Sequence, residues 1–257
     1  MRAAIDQGFT HYSITEHSPM PEEFFARLPQ VLGPGLRDGV MALSDLEHYL
    51  RKAHRLKEQY RDRIQLSVGL ELEFVQDFTP WLRDLLGEYG PQLDDGLVSV
   101  HYLPMGDGRL APLDVSWEAT RDLLLPHCGG LTGFEEAYYR AVTDSVRADL
   151  GPHGPRRLGH MSLSRKFLAH WPEEERAVSP ALQAQILALL EEAAPRGFAI
   201  DFNVAGLYTA CGEFYPGPWI TAQAAARGMP LVYGSDSHHP SHVGRSYDLY
   251  ARWCPEG

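Results

Sequence analysis

Apolar residues recur along the chain in six short runs, and the longer segments between them have helical spacing. The runs are mostly continuous, not alternating, which is typical of strands that are covered on both faces. They span residues 11–15, 64–74, 96–103, 157–163, 198–205 and 230–236. Strands that alternate with helices predict βαβ units and therefore a parallel sheet.

The segments between the runs carry helix signals. Apolar periodicity predicts long helices over residues 134–150 and 181–194, and Ser179 is expected to cap the second one because it stands before a proline. Residues 44–47 have the Ser-x-x-Glu pattern of a capping box. Residues 1–7 predict the last turns of a helix that lies ahead of the first strand.

Length and composition narrow the class of protein. The 257 residues suit a single α/β barrel, which typically has about 250 residues, and residues 1–257 contain no repeat or long linker. A net charge of −11 argues against binding to nucleic acid or anionic membranes. Three scattered cysteines, no membrane-spanning run and no signal peptide predict a cytoplasmic protein.

Four histidines and two carboxylates share one kind of position, at or just beyond the C-terminal end of an apolar run. They are His17, Glu71, His101, His160, Asp236 and His238. The C-terminal ends of parallel barrel strands meet at one mouth, where the active sites of such enzymes lie. Imidazoles and carboxylates without a thiolate indicate a catalytic site for Zn, Mn, Fe or a similar divalent metal.

This ligand set also predicts a type of reaction. Glu71 has two carboxylate oxygens and is able to bridge two ions, and Asp236 and His238 lie on one turn. A bridged metal pair suits in-line attack on phosphorus, and it lets an acidic protein bind a small phosphorylated substrate.

Several motifs together resemble one known family. They are T-E-H-S-P-M-P at residues 15–21, G-L-E at 69–71, S-V-H-Y at 99–102, G-H at 159–160, N-V-A-G-L at 203–207 and G-S-D-S-H at 234–238. Over nearly its whole length the chain resembles the histidinol-phosphatase branch of the polymerase-and-histidinol-phosphatase (PHP) superfamily. The resemblance implies a distorted seven-stranded (β/α) barrel with two to three divalent metals. It also implies hydrolysis of L-histidinol phosphate to L-histidinol and phosphate in histidine biosynthesis.

The resemblance assigns a role to each candidate ligand. It implies that Glu71 bridges the first two metals, that Asp236 binds the first, and that His101 and His160 complete the second. His17 and His238 would bind the third metal. Asp236 and His238 are also the candidates for catalytic residues that handle the proton of the leaving group.

The chain departs from the family pattern in three places. Glu16 and Ser162 stand where the family has Asp, and the D-x-H-x-H segment of the family's first strand is missing. The resemblance therefore implies an N-terminally truncated barrel that lacks its first strand and binds fewer metals. Such a barrel has two unpaired sheet edges, so pairing into a homo-oligomer is an alternative to a monomer.

Substrate-binding residues are expected beside the metals. Arg165 and Lys166 directly follow the run that ends near His160 and are candidates for binding phosphate, and Asn203 is a candidate for a hydrogen bond to substrate. Two other functions stay open: another PHP-type phosphatase or phosphodiesterase, and an inactive, truncated barrel with a binding or structural role.

Overall fold

The computed structural model describes residues 1–33 and 35–254. Their strands are β1 (His11–His17), β2 (Gln65–Glu73), β3 (Asp95–Ser99), β4 (Tyr102–Pro104), β5 (Leu110–Pro112), β6 (Arg157–Leu158), β7 (Ala199–Asn203) and β8 (Leu231–Gly234). Six of them form one curled sheet in the order β1-β2-β3-β6-β7-β8, in which every pair is parallel. The other two, β4 and β5, form an antiparallel hairpin. The predicted α/β class with a parallel sheet is confirmed.

Helices occupy the connections between the strands. They are α1 (Arg2–Asp6), α2 (Glu22–Ala26), α3 (Gly35–Asp38), α4 (Leu43–Tyr60), α5 (Thr79–Tyr89), α6 (Trp117–Ala119), α7 (Leu125–Cys128), α8 (Leu131–Arg147), α9 (Pro180–Ala193), α10 (Pro218–Ala226) and α11 (Tyr247–Trp253). Short 3₁₀ segments and one π-helical turn, Thr120–Leu124, complete the described elements. Within the described residues, none of these helices has the length and apolar character needed to cross a bilayer.

The helix signals in the sequence were only partly correct. The Ser179 hydroxyl does cap α9, because it accepts the Leu182 N–H at 3.2 Å. The capping box at residues 44–47 was wrong: α4 begins one residue earlier, so Ser44 lies inside the helix and not at its cap.

Alternation along β2 sends its side chains to two environments. Val68, Leu70 and Leu72 are buried in one apolar cluster with Leu46 and Leu50 of α4. The intervening residues of the strand, which include Glu71, therefore face the concave side of the sheet. The helices thus cover one face of the sheet and leave the other free for polar side chains.

The curled sheet does not close on itself within the described residues. β1 pairs only with β2, and β8 pairs only with β7. A cavity of about 780 Å³ between them is lined by every residue of 9–17 and 232–238. Successive side chains of a strand point to opposite faces of the sheet, so one face alone would supply only every second residue to the cavity. Because consecutive residues line it, the cavity borders the edges of β1 and β8.

Candidate metal centre

The candidate ligands meet at the C-terminal end of the sheet. His17 ends β1 and lies opposite Glu71 of β2 in the parallel register. His101 and His160 follow β3 and β6, and Asp236 and His238 follow β8. The parallel register thus brings residues that are distant in the chain to one mouth.

Glu71, His101 and His160 form a compact inner cluster, in which one ligand atom of each lies within 4.8 Å of the others. The two Nε2 atoms of His101 and His160 are 3.1 Å apart, and Glu71 Oε1 lies 3.0 Å from His160 Nε2 and 3.7 Å from His101 Nε2. All three side chains are largely buried, with 3–12% exposed. Two imidazole nitrogens and a carboxylate oxygen that face one point fit a divalent transition metal.

The close packing of charged groups in this cluster shifts the pKa values of Glu71 and His101. Burial by itself raises the pKa of Glu71, but the hydrogen bond with His160 and the charges of three histidines outweigh it and hold that pKa well below its usual range. Burial lowers the pKa of His101, but the neighbouring Glu73 carboxylate outweighs it and raises the pKa to about 10. The cluster therefore keeps Glu71 as an anion, which is the form that binds metal.

Glu73 is a functional candidate that the sequence analysis missed. Its Oε1 accepts the backbone N–H of His101 at 3.0 Å, and its Oε2 lies 2.7 Å from His101 Nδ1. A carboxylate on the far nitrogen of a ligating histidine fixes the ring and its tautomer. The signal was present in the sequence, because Glu71 and Glu73 are two apart on a strand and share a face.

The other three candidates are more open. His17 Nδ1 lies 3.6 Å from Glu71 Oε2, and the rings of His17 and His238 have centroids 6.4 Å apart. Asp236 Oδ1 is 3.5 Å from His238 Nδ1, and the His238 side chain is 73% exposed. Arg245 holds this turn by donating to the Ser235 carbonyl at 2.8 and 3.0 Å.

The predicted substrate residues have different surroundings. Arg165 donates to Glu135 at 2.8 Å, and its guanidinium lies over the ring of Trp171. The guanidinium is therefore already engaged by contacts within the protein. Lys166 Nζ lies 3.1 Å from Asp114, whose pKa is lowered because His101 and Lys166 outweigh its burial. Lys166 thus pairs with a carboxylate whose pKa the charge of His101 also lowers.

Asn203, the third substrate candidate, is buried and borders the cavity that the candidate ligands also line. Its Nδ2 donates to Asp201 Oδ2 at 3.0 Å, and its Oδ1 accepts the Ala205 N–H at 2.9 Å. Contact of Arg165, Lys166 or Asn203 with substrate stays a prediction.

Known proteins resemble the chain over nearly its whole length. No family model matches the chain. A histidinol-phosphatase of Bacillus subtilis is 34% identical over 252 residues, which cover 98% of this chain and 90% of that protein. The chain belongs to the histidinol-phosphatase family. A candidate member of the histidinol-phosphatase family in Deinococcus radiodurans is 31% identical over 243 residues, covering 95% of this chain and 80% of that one.

Two solved structures match as well. A candidate histidinol phosphatase from Listeria monocytogenes has a TM-score of 0.92 and 36% identity, over 97% of this chain and 91% of the other. A histidinol phosphate phosphatase from Lactococcus lactis, solved with Zn, L-histidinol and phosphate, has a TM-score of 0.66 and 17% identity over 98% and 85%. At that identity the Lactococcus protein shares the histidinol-phosphatase fold and supports no residue-level comparison.

Proposed function

We propose that this chain is a metal-dependent phosphomonoesterase that hydrolyses L-histidinol phosphate to L-histidinol and phosphate. The observation that carries the proposal is the inner cluster, where a buried carboxylate and two imidazole nitrogens converge at the mouth of the sheet. Membership in the histidinol-phosphatase family gives the substrate.

Glu71, His101 and His160 would hold one ion, and His17, Asp236 and His238 would contribute to further ions beside it. We propose two to three divalent ions in the complete site, with Zn as the first candidate because the Lactococcus structure contains it. Divalent metals at such a site lower the pKa of water toward neutrality and neutralise phosphoryl oxygens.

The residues of this chain supply the remaining parts of the reaction. Glu73 holds the His101 ring through Nδ1 and so directs Nε2 toward Glu71 and His160. Asp236 and His238, on the turn after β8, are the candidates to give a proton to the departing alkoxide of histidinol. Lys166, which pairs with Asp114, is the candidate cation for a phosphoryl oxygen.

The test compares three substrates with one preparation of the enzyme. We expect release of phosphate from L-histidinol phosphate that stops on chelation and returns with Zn²⁺ or Mn²⁺. Hydrolysis of p-nitrophenyl phosphate should be weaker, and hydrolysis of bis-p-nitrophenyl phosphate should be negligible. A preference for the diester would favour a phosphodiesterase, and no hydrolysis at any metal content would favour a binding role.

The matched variants are Glu71→Gln and His48→Gln. Glu71 lies in the inner cluster, whereas His48 is exposed on α4. We expect loss of activity and of tightly bound metal in the first variant only. Equal effects of the two substitutions would contradict the assignment of the site.

We also propose that a seventh parallel strand completes the barrel between β1 and β8. The support is the cavity of about 780 Å³, which both strand edges border along consecutive residues. A chain extended at its N-terminus by a strand with the D-x-H-x-H pattern should bind more metal and turn over faster than the 257-residue chain. Equal metal content and equal turnover would contradict the proposal.

A further inference from the structure

His160 has an unusual backbone conformation. Among the described residues, the non-glycine positions with positive φ are His160 at 23°, Asp236 at 49° and Ser246 at 49°. Two of these three are candidate metal ligands. A side chain in this region of backbone space persists only where its surroundings hold it there, and such positions cluster at functional sites.

Both peptide groups that flank His160 are held by buried side chains. Asp201 Oδ2 accepts the His160 N–H at 3.3 Å, and the Tyr138 hydroxyl donates to the His160 carbonyl at 3.3 Å. Asp201 is 4% exposed and Tyr138 is fully buried. The chain therefore turns at His160 between two fixed points.

Asp201 is itself fixed from two sides. The amide of Asn203 donates to its Oδ2 at 3.0 Å. On the other side, a Cβ at Gly234 would lie only 2.1 Å from its Oδ1, so β8 packs against the carboxylate with no room for a side chain. Asp201 of β7 thus contacts the residues at the ends of β6 and β8, beside the cavity that the ligands also line.

The two imidazoles of the inner cluster are oriented in different ways. Glu73 fixes the His101 ring directly through Nδ1. The Nδ1 atom of His160 is buried and has no hydrogen-bond partner among the described residues. The ring of His160 is thus oriented by the contact of its Nε2 with Glu71 Oε1 at 3.0 Å and by its backbone, which Asp201 and Tyr138 hold.

We infer that Asp201 is a positioning residue, which holds the His160 peptide so that His160 Nε2 points at Glu71 and His101. This inference rests on the proposed metal-dependent function, because it assigns a purpose to the orientation of a metal ligand. Asp201 acts through His160 and touches no reacting atom.

The first experiment measures Co²⁺ affinity by competition with a chromophoric chelator, together with the visible absorption of bound Co²⁺. We expect Asp201→Ala to weaken binding about 10- to 100-fold, as is typical when a partner of a metal ligand is removed. Asp201→Asn should restore most of the affinity because its amide oxygen still accepts the His160 N–H. The control is Thr221→Val, which removes a buried hydroxyl on α10 that donates to Gly217 and should leave affinity unchanged.

The second experiment repeats Asp201→Ala in a His160→Ala background. Because Asp201 works through His160, we expect no further loss of Co²⁺ affinity there. Additive losses in the two backgrounds would overturn the inference, since they would mean that Asp201 binds metal itself or supports the whole fold. Unchanged affinity of Asp201→Ala in the native background would also overturn it.

The wild-type titration separates this inference from the proposed function. If the native chain bound neither Co²⁺ nor Zn²⁺, the metal-dependent function would be wrong. If it bound them and Asp201→Ala had no effect, only the positioning role would be wrong.

Discussion

The inner cluster and the other candidate ligands, His17, Asp236 and His238, differ in how firmly the fold holds them. Glu71 lies in β2, and His101 and His160 follow β3 and β6. These three strands have a neighbouring strand on both sides, and the three side chains are 3–12% exposed. His17 ends β1 and His238 follows β8, the two strands with one free edge in the described sheet, and their side chains are 28% and 73% exposed. Strands paired on both sides fix ligand atoms, whereas edge strands leave them open to solvent.

The largest effect in this comparison should come from Glu71, which touches both regions. Its Oε1 faces His160, and its Oε2 faces His17. We expect Glu71→Gln to lower kcat/KM about 10³-fold, because the loss of several kcal/mol of charge stabilisation corresponds to that factor. Steady-state assays on L-histidinol phosphate measure it, and a loss below tenfold would contradict the central place of Glu71.

His101→Ala and His238→Ala compare the two regions directly. Removal of His101 takes one of three ligands from the buried cluster, whereas removal of His238 affects a side chain that water already surrounds. We expect His101→Ala to lose the tightly bound ion and His238→Ala to keep it. Metal analysis after dialysis decides the point, and the same metal content in both variants would show that the regions do not differ.

Glu73→Gln should change how metal binding depends on pH. Glu73 raises the pKa of His101 to about 10, so metal must displace a proton from His101 below that pH, and affinity should rise with pH. Without the Glu73 carboxylate this pKa falls, although Glu71 and Asp114 still raise it, and the slope of log Kd against pH between 7 and 9 should decrease by up to about one proton. Affinity itself should fall about 10- to 100-fold. An unchanged slope would mean that Glu73 does not control this proton.

The smallest effect concerns the end of the sheet opposite the mouth. Asp94 accepts the Val68 N–H at 2.9 Å and pairs with Lys57, and these contacts outweigh its partial burial and lower its pKa. A carboxyl whose folded pKa is lowered contributes stability above its unfolded pKa of about 3.9, and that stability is lost as pH falls through the folded pKa. Asp94→Asn should therefore flatten the acid limb of the stability curve by a small amount.

Thermal unfolding between pH 2 and 7 measures this effect, with the exposed Asp62→Asn as the control. Metal affinity of both variants should equal that of the native chain, because Asp94 lies ahead of β3 and away from the mouth. A change in metal affinity would show that the two ends of the sheet are coupled.

The sequence located the strands but misjudged where several end. The apolar run at 157–163 predicted a strand, yet β6 is only Arg157–Leu158. The chain turns at His160, where Asp201 and Tyr138 bind the two flanking peptide groups. Those two contacts come from β7 and α8, and no local pattern reports them. Where the strand partners are regular, as along β1 and β2, the predicted run and the observed strand nearly coincide.

The candidate site likewise combines residues that the sequence pattern reveals with residues that only contacts between distant elements reveal. The strand-end position of His17, Glu71 and His101 was readable because parallel strands carry their ends to one mouth. The role of Asp201 was not readable, since it depends on a distance to His160 across two strands. Side chains that hold ligands were thus harder to find than the ligands themselves.

The cavity between β1 and β8 has a consequence for hydrogen exchange. Alternate amides of each edge strand point into it and should exchange with solvent faster than those of β2 and β3, which are paired on both sides. A phosphate ester bound between His17 and His238 would tie the two edges together and slow that exchange.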